Sequence, residues 1–335
     1  MATYYVDPAA AGLNDGSSWA DAFTDLQAAI AVAAASDVVY CRGTQTLTAP
    51  ITYSCSGSLT SGLIDWIGCN ASGVDDGTRF VLDGNSSVAN CLNSDGGGYS
   101  RFKNFEIKGA TANGVYDATA DSNSCTFINC KFHLNGGTGF NGGSWGNTTY
   151  FKCSFDNNGS YGAQSNYAGT NKYLLCTFRG NLSGYYQYAN MAYSTFHFGC
   201  IFSDNTGNGA FLPYGGWTIV NCVFDGNGGF GMNTDFSNCY RGTSLVGNRI
   251  TNNGSYGIHD VAIGYFLGTV AYNYFNGNTS GDFGPYIVID DAFLEDSGVE
   301  TNLYTGIQGY VDAANGDYNL TADATMRRVA VTLPE

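Results

Sequence analysis

The sequence predicts an all-β fold in which the chain winds into a parallel β-helix solenoid. One short phrase returns along the middle of the chain, and its copies are CKFHLN, CSFDNN, CTFRGN, CIFSDN and CVFDGN. They begin at Cys130, Cys153, Cys176, Cys200 and Cys222, with gaps of 23, 23, 24 and 22 residues. A fixed period of about 20–50 residues is typical of solenoids, in which each unit buries its apolar face against the next.

The composition of each copy selects the type of solenoid. Apolar residues alternate within the phrase, which indicates a strand, and the Gly, Asn and Ser that follow it form turns. A leucine-rich repeat has a similar period, but Phe, Cys and Tyr stand here where its leucines would be. Short strands separated by turns, with no room for a helix inside the repeat, therefore predict a parallel β-helix.

Each position of the phrase predicts a column of side chains, because equivalent residues of successive coils stack about 4.8 Å apart. We expect two interior columns and one ladder of side-chain amides, which bond one another and the backbone of a corner. The Cys column holds residues 130, 153, 176, 200 and 222; the Phe column holds residues 132, 155, 178, 202 and 224; the Asn ladder holds residues 135, 158, 181, 205, 227, 253 and 278.

This pattern resembles the right-handed parallel β-helix, or pectin-lyase-like, superfamily over nearly the whole chain. The opening YYVDPAAAGLNDGSSWADAFTDLQAAI resembles the first strand and capping helix of that superfamily, and the closing GYVDAANGDYNLTADATMRRVAV resembles its terminal strand and tail. The resemblance implies a fold and not an activity, since the superfamily contains lyases, hydrolases, epimerases and virion proteins.

A capping helix near residues 18–34 is also predicted from the residues themselves. Four apolar side chains fall on one helical face, and a Ser–Asp pair three residues apart forms a capping box. These are Trp19, Phe23, Leu26 and Ile30, with Ser18 and Asp21. We therefore expect one structural domain, made of a strand and capping helix over 1–45, coils over 46–285 and a cap or tail over 286–335.

Composition limits the partners and the compartment. A net charge of −15, with only 12% charged residues, argues against nucleic-acid binding, and the absence of a long apolar run argues against membrane insertion. Five of the 11 cysteines belong to the Cys column, so we interpret them as buried free thiols of a protein assembled in a reducing compartment. The start MATYYV carries no signal peptide, which favours cytoplasmic assembly; secretion with the leader removed is the alternative.

The catalytic signatures of the superfamily are missing or out of order. Its polygalacturonase-like hydrolases carry NTD, DD, GHG and RIK in that sequence. Here Asn233-Thr234-Asp235 and Asp290-Asp291 occur, but His259 precedes the Asp pair and lies in GIHD. The pectate lyase signatures vWiDH and RxPxxR and the epimerase signature DPHD are absent.

One charged strip remains as a candidate catalytic site. The fourth position of three consecutive copies points outward and holds His133, Asp156 and Arg179, which would lie on adjacent coils. Lys131 lies on the same face, and Lys152 is expected beside it on the next coil. These residues could supply a base, a carboxylate and cations, whereas the alternative is a solvated ladder of opposite charges.

Aromatic residues form the candidate ligand-binding set. They make up 15% of the chain, more than the interior requires, and several lie in turn-like segments. Exposed rings on a rigid scaffold suit sugars by stacking on their apolar faces, and suit protein surfaces equally well. The candidates are Tyr185, Tyr186, Tyr188, Tyr214 and Trp217.

These observations favour a rigid, non-catalytic, virion-associated protein of bacteriophage type, acting as decoration, fibre or receptor-contact module. Its expected partners are a glycan or protein surface, other virion proteins and a second copy of itself. The alternatives are a polysaccharide lyase or glycoside hydrolase acting on an acidic polysaccharide, and a secreted glycan-binding protein. We expect no cofactor and no metal, because the acidic run Asp282, Asp290, Asp291, Glu295 and Asp296 lacks the spacing of a calcium loop.

Overall fold

The computed structural model is a parallel β-solenoid built from three long sheets. It describes residues 1–117, 124–142, 147–165, 170–187, 195–213, 216–234, 243–260, 264–265, 268–284, 287–288, 302–303, 310–312 and 317–320. Each coil contributes one strand to each sheet, and all strand pairs within the three sheets are parallel. The predicted all-β solenoid is therefore confirmed.

The strands of the three sheets, which we call A, B and C, are as follows. Sheet A contains β1 (Thr3–Val6), β2 (Val38–Arg42), β5 (Ile64–Cys69), β8 (Ser100–Lys103), β11 (Thr126–Ile128), β14 (Thr149–Phe151), β17 (Lys172–Leu174), β20 (Thr195–Phe198), β23 (Trp217–Val220), β26 (Thr243–Val246) and β30 (Gly268–Ala271). Sheet B contains β3 (Thr44–Thr46), β6 (Phe80–Asp83), β9 (Phe105–Lys108), β12 (Lys131–His133), β15 (Ser154–Asp156), β18 (Thr177–Arg179), β21 (Ile201–Ser203), β24 (Val223–Asp225), β27 (Arg249–Thr251), β31 (Asn273–Asn276) and β34 (Asn302–Leu303). Sheet C contains β4 (Ile51–Tyr53), β7 (Asn90–Ser94), β10 (Asn113–Asp117), β13 (Phe140–Gly142), β16 (Tyr161–Ser165), β19 (Ser183–Gln187), β22 (Ala210–Leu212), β25 (Met232–Thr234), β28 (Tyr256–Asp260) and β32 (Gly281–Phe283).

Two further pairs of short strands lie near the C-terminal end of the chain. β29 (Gly264–Tyr265) pairs in parallel with β33 (Ile287–Val288). β35 (Tyr310–Asp312) pairs antiparallel with β36 (Asp317–Leu320).

The Phe column of sheet B is confirmed by ring stacking. The rings of Phe155 and Phe178 lie 4.8 Å apart between centroids, and those of Phe178 and Phe202 lie 4.6 Å apart, with interplanar angles of 6° and 3°. All three side chains are buried. One phenyl ring per coil at the strand spacing therefore forms a continuous stack on this side of the core.

A second interior column, which the sequence analysis missed, lines sheet A. It runs from Trp66 and Phe102 through Phe127, Tyr150 and Tyr173 to His197. The Tyr150 and Tyr173 rings stack at 4.6 Å, and the His197 imidazole continues the stack 4.8 Å from Tyr173. His197 is fully buried, neither of its ring nitrogens has a hydrogen-bond partner, and burial lowers its pKa to about 3.

The Asn ladder is confirmed and runs without a break from Asn135 to Asn278. At each step the side-chain Nδ2 of one Asn donates to the Oδ1 of the next, as from Asn158 to Asn181 at 3.0 Å. The same Nδ2 donates to a backbone carbonyl, as Asn181 does to Phe155 at 2.8 Å. The ladder thus satisfies backbone groups that the corner between sheets B and C exposes.

The Cys column performs a similar task at the corner between sheets A and B. The Cys200 Sγ donates to the Tyr173 carbonyl at 3.2 Å, and the Cys200 N–H donates to the Cys222 Sγ at 3.3 Å. Farther along the same column Asn248 replaces Cys: its Oδ1 accepts from the Cys222 N–H at 2.9 Å, and its Nδ2 donates to the Ile219 carbonyl. The ten cysteines in the described part of the chain are free thiols, as predicted.

The capping helix is shorter than predicted. Helix α1 spans Leu26–Val32 instead of about 18–34, with Asp25 as N-cap accepting from the Gln27 N–H. Ser18 and Asp21 do bond each other, but within a turn, because Gly12 and Gly16 hold the preceding segment in an irregular loop tied to Ala20 and Asp21. No helix in the described ranges is long and apolar enough to cross a membrane.

Helix α1 nevertheless covers the open edge of sheet C, as a cap should. The Gln27 Nε2 donates to the Thr52 carbonyl at 3.0 Å, and the Gln27 Oε1 accepts from the Thr52 N–H at 2.7 Å. Leu26, Ala29 and Ile30 are buried in the core. The first strand of sheet C therefore has part of its free edge paired by a side-chain amide, which blocks addition of another strand there.

Candidate functional site

The charged strip lies on the outer face of sheet B. His133, Asp156 and Arg179 are in register on β12, β15 and β18, so the predicted arrangement of their backbones is correct. Glu106 and Lys108 precede them on β9, with Lys108 in register with His133. The strip thus places an imidazole and a carboxyl group between two cationic side chains along the axis of the solenoid.

The closest polar contacts of His133 and Arg179 are with carboxylates other than Asp156. The His133 Nε2 lies 2.9 Å from the Glu106 Oε1, and the Arg179 Nε lies 2.8 Å from the Asp204 Oδ2. Since a carboxylate only accepts, the proton of the neutral imidazole is on Nε2 and its Nδ1 is the basic atom. His133 and Glu106 therefore form the closest acid–base pair of the strip.

Burial decides the protonation of the two central groups. It lowers the pKa of His133 below its ordinary 6.5, against the opposing effect of Glu106. It raises the pKa of Asp156 above its ordinary 3.8, although Ser154, Lys131 and His133 act in the opposite direction. Both shifts favour the uncharged forms, which is the expected effect of partial desolvation.

The two lysines of the predicted site are separated. Lys131 lies on β12 in register with Glu106 and Ser154, on the same face as His133. Lys152 lies in the turn between β14 and β15, with φ of 53°, and its Nζ is 5.4 Å from the centroid of the Phe151 ring. Its expected place beside Lys131 was wrong, because the residue before each Cys forms the corner and not the strand.

The aromatic candidates divide between the core and the outer face of sheet C. Tyr185 and Trp217 are 0% exposed, so the prediction that their rings contact a ligand was wrong. Adjacent strand residues point to opposite faces, and Tyr185 points inward while Tyr186 points outward. Tyr188 and Tyr214 lie outside the described residues.

The outer face of sheet C carries a column of seven side chains in register. Each sheet C strand from β10 to β28 contributes one of them. From Asn141 on, this residue follows the ladder Asn of its own coil by six positions, except Tyr186, which follows it by five. This spacing was available in the sequence, but the side chains differ so much that no repeat is visible. The column is Tyr116, Asn141, Gln164, Tyr186, Phe211, Asn233 and His259.

The rings on this face stack on one another and present their edges. Tyr186 lies between Tyr161, at 4.4 Å between centroids, and Phe211, at 4.9 Å. Phe230 stacks on His259 at 4.2 Å in a second group that also contains Tyr256. Both faces of the Tyr186 ring are therefore covered, so it can contact a ligand through its edge and hydroxyl but cannot stack on a sugar.

Amides and an imidazole complete the polar part of this face. The His259 Nδ1 lies 3.1 Å from the Asn233 Oδ1, which accepts, so the proton is on Nδ1 and Nε2 is the free acceptor. Burial lowers the pKa of His259 below 6.5. Near the other end, Asn90 donates to Asn93 and accepts from Asn113, at 2.9 and 3.0 Å.

The acidic run considered for calcium falls almost entirely outside the described residues. Asp290, Asp291, Glu295 and Asp296 are among those not described. Asp282 is described, and its Oδ1 accepts from the Asn278 Nδ2 at 3.1 Å, which continues the Asn ladder by one step. Over the described ranges, no three His, Cys, Asp or Glu side chains are grouped as metal ligands would be.

Comparison with known proteins identifies the fold. The family described as "Right handed beta helix region" matches residues 90–261. Among solved structures, pectate lyase Pel9A is similar with a TM-score of 0.66 and 18% identity over 97% of this chain and 90% of that one. A rhamnogalacturonan lyase gives a TM-score of 0.64 and 16% identity, covering 98% of each chain.

A third similar structure is the A-module of mannuronan C-5 epimerase AlgE6 from Azotobacter vinelandii. It gives a TM-score of 0.57 and 13% identity, over 81% of this chain and 91% of that one. No curated protein matches the chain. At these identities the similarity to solved structures shows the fold alone.

Proposed function

Because this chain belongs to the right-handed β-helix family, we propose that it is a rigid, non-catalytic rod that contacts glycans through the outer face of sheet C. One observation carries the proposal: phenol hydroxyls, amides and aromatic ring edges follow one another in register over seven coils of that face. These groups are only partly exposed, as in a shallow binding surface.

The chemistry of this face suits a sugar chain. Sugar hydroxyls both donate and accept, and side-chain amides and phenols do the same. The edges of the Tyr186 and Phe211 rings carry partial positive charge, which favours contact with hydroxyl oxygens. The buried inward side chains of the same sheet, such as Phe140, Tyr185 and Leu212, and the Asn ladder at its corner hold the face rigid, which reduces the entropy lost on binding.

We further propose that the rod is part of a particle of bacteriophage type, as decoration, fibre or receptor-contact module. Support comes from the buried free thiols, which suit assembly in a reducing compartment such as the cytoplasm. Other virion proteins would be its partners. Secretion as a separate glycan-binding protein is the alternative placement.

Glycan binding is tested with a double variant that removes two hydroxyls and keeps the ring stack. Tyr161→Phe/Tyr186→Phe should weaken binding to any polysaccharide found on a glycan array about tenfold, the equivalent of about 1.4 kcal/mol. Tyr40→Phe is the matched control, since Tyr40 is an outward phenol of sheet A that stacks on Tyr5. Equal loss in both variants, or no binding to any glycan, would contradict the proposal.

The virion placement has its own test. Antibodies against the chain should label intact particles in electron micrographs, and the protein should sediment with particles through a density gradient. A chain recovered only in the soluble fraction of lysates, or in the medium, would contradict it.

A polysaccharide lyase or hydrolase acting on an acidic polysaccharide is the second candidate, favoured by the Glu106–His133 pair beside Asp156. The basic Nδ1 of His133, the uncharged tendency of Asp156 and the cation Lys131 would supply base, acid and carboxylate-binding groups. The similar structures named lyases and an epimerase lend this reading support at the level of the fold only.

The enzyme reading is tested by product formation from polyuronates. An enzyme of this kind should release unsaturated or reducing ends, and His133→Gln or Asp156→Asn should abolish that release while Lys152→Ala leaves it unchanged. Turnover by both variants would show that catalysis uses other residues. No turnover of any polysaccharide on a broad panel would contradict the enzyme hypothesis and leave glycan binding as the remaining proposal.

A further inference from the structure

We infer that the glycan held by the outer face of sheet C is an electrically neutral polysaccharide and not a polyuronate. This inference rests on the proposed function and specifies its ligand. Three observations carry it: the neutral side chains of that face, the confinement of ion pairs to other parts of the surface, and the length over which the face continues.

The outward side chains of sheet C from β7 to β28 are neutral at both of their columns. The first column runs from Tyr116 to His259, and the second contributes Asn90, Asn113, Tyr161, Phe230 and Tyr256. Two carboxyl groups occur at the ends of these strands, in Asp117 and Asp260, but both are buried. The lowered pKa of His259 keeps its imidazole uncharged at neutral pH.

The ion pairs of the described residues lie away from this face. Arg101 pairs with Asp65 and Lys103 with Asp75 around the outer side of sheet A, and Lys108, His133 and Arg179 pair on or beside sheet B. A uronate polymer needs a cation near each carboxylate, and the lysines and arginines of the described residues lie on sheets A and B or at the corner between them. A chain of net charge −15 repels such a polymer at long range as well.

The length of the face favours a polymer over a small sugar. Seven coils in register span about 29 Å at the usual strand spacing. Donors and acceptors recur at that spacing along one line, so several consecutive sugars can be held at once. Each contact is weak, and their number supplies affinity along an extended chain.

The decisive measurement compares each polymer with two derivatives substituted on its hydroxyls, one charged and one neutral. Binding by isothermal titration calorimetry would be measured for dextran, mannan, galactan and a β-glucan, each with its carboxymethylated and its hydroxyethylated derivative. We expect at least one parent polymer to bind, its carboxymethylated derivative to bind about tenfold more weakly than its hydroxyethylated derivative, and the affinity for the parent to be insensitive to salt.

An isosteric variant places the ligand on sheet C. Gln164→Glu should weaken binding of the parent polymer about tenfold, because it replaces amide donors by a carboxylate that only accepts. Asn221→Asp is the matched control, since it adds the same charge in an exposed turn between sheets A and B. Circular dichroism of both variants establishes that they fold.

The possible results distinguish failure of the neutral-ligand inference from failure of glycan binding by sheet C. If a carboxymethylated polymer binds as tightly as its hydroxyethylated counterpart, or more tightly, and Gln164→Glu still weakens binding, the ligand is not selected for neutrality and the inference fails while glycan contact stands. If Gln164→Glu has no effect on any bound polymer, sheet C is not the site and both fail. If none of the polymers binds, both fail as well.

Discussion

Inside sheet B, Phe155, Phe178 and Phe202 repeat one side chain over three coils, whereas on the outside of the same strands Asp156, Arg179 and Ser203 differ at every step. The same residue type recurs in the inner column because each ring packs between the rings of the preceding and following coils. The outer side chains share only a register: the Arg179 Nε donates to the Asp204 Oδ2 at an adjacent corner, whereas the Ser203 hydroxyl is buried without a hydrogen-bond partner. On sheet B, repetition of one side chain therefore reports on packing, and the outward positions are the ones that vary.

The largest expected effect comes from opening the inner column. Phe178→Ala should destabilise the protein by about 3–5 kcal/mol, because it removes a buried ring that two neighbours pack against. Urea denaturation followed by circular dichroism would measure it. The adjacent outward change Arg179→Ala loses a half-exposed ion pair with Asp204 and should cost less than about 1 kcal/mol. Similar losses in the two variants would remove the distinction between inside and outside.

The next effect comes from interrupting the Asn ladder. Asn181→Ala should cost about 2–4 kcal/mol, because the Asn158 N–H and the Phe155 carbonyl would lose their side-chain partner in a buried corner. Asn141→Ala, on the partly exposed face of sheet C, should cost much less because water replaces the amide there. Denaturation midpoints of the two variants, compared with the parent, provide the measurement.

A gain in stability is expected where the inner aromatic column contains His197. His197→Phe should stabilise the protein by about 1–3 kcal/mol at pH 7, because the imidazole buries an N–H with no hydrogen-bond partner. The pKa of His197 is about 3 in the folded protein and about 6.5 when unfolded, so the unfolded chain binds the extra proton first. Protonation of the unfolded chain therefore lowers the free energy of unfolding as the pH falls from 6.5 towards 3, and has no effect above pH 6.5.

The pH dependence gives this prediction a second readout. Between pH 7 and pH 5 the parent should lose about 2 kcal/mol more than the Phe variant. Thermal melts across that range would measure the difference. Parallel curves for the two proteins would mean that His197 reaches solvent or a hydrogen-bond partner.

The smallest effect is expected on the outer strip of sheet B. Burial raises the pKa of Asp156, so the folded protein binds its proton more tightly than the unfolded chain does, and the ionised form weakens folding at neutral pH. Asp156→Asn should therefore raise stability at pH 7 by less than about 1 kcal/mol. The advantage should disappear as the pH falls below 3.8, and an advantage that grows in acid would contradict the direction of the shift.

The inner columns could be predicted from sequence because the coil length fixes their spacing. The Phe column and the Asn ladder follow from the phrase beginning at Cys130 and its copies. The sheet A column escaped notice because Trp, Phe, Tyr and His all fill it, although each member from Phe127 to His197 stands three residues before a Cys. A ring of any kind satisfies that position, so identity is not preserved there.

The outer sites were predicted less well for a physical reason. Register placed His133 and Asp156 correctly, but it could not tell which neighbour a flexible side chain would choose. Strand alternation alone could have predicted that Tyr185 and Tyr186 do not both contact a ligand, because only one of two adjacent strand residues can face outward. Both faces of the Tyr186 ring are covered because rings from three successive coils stack on one another. The sequence of a single coil does not show this packing.

The replacement of Cys by Asn along one column has a practical consequence. The Cys222 thiol and the Asn248 carboxamide both accept a hydrogen bond from the backbone N–H of the preceding coil. The Asn248 carboxamide also donates to a backbone carbonyl, so the corner requires a small group that donates and accepts, and sulfur is not needed. Extending the carboxamide to Cys130, Cys153, Cys176, Cys200 and Cys222 would remove half of the ten described thiols while keeping the backbone of that corner bonded. Fewer thiols would mean fewer wrong disulfides if the rod were folded in an oxidising compartment.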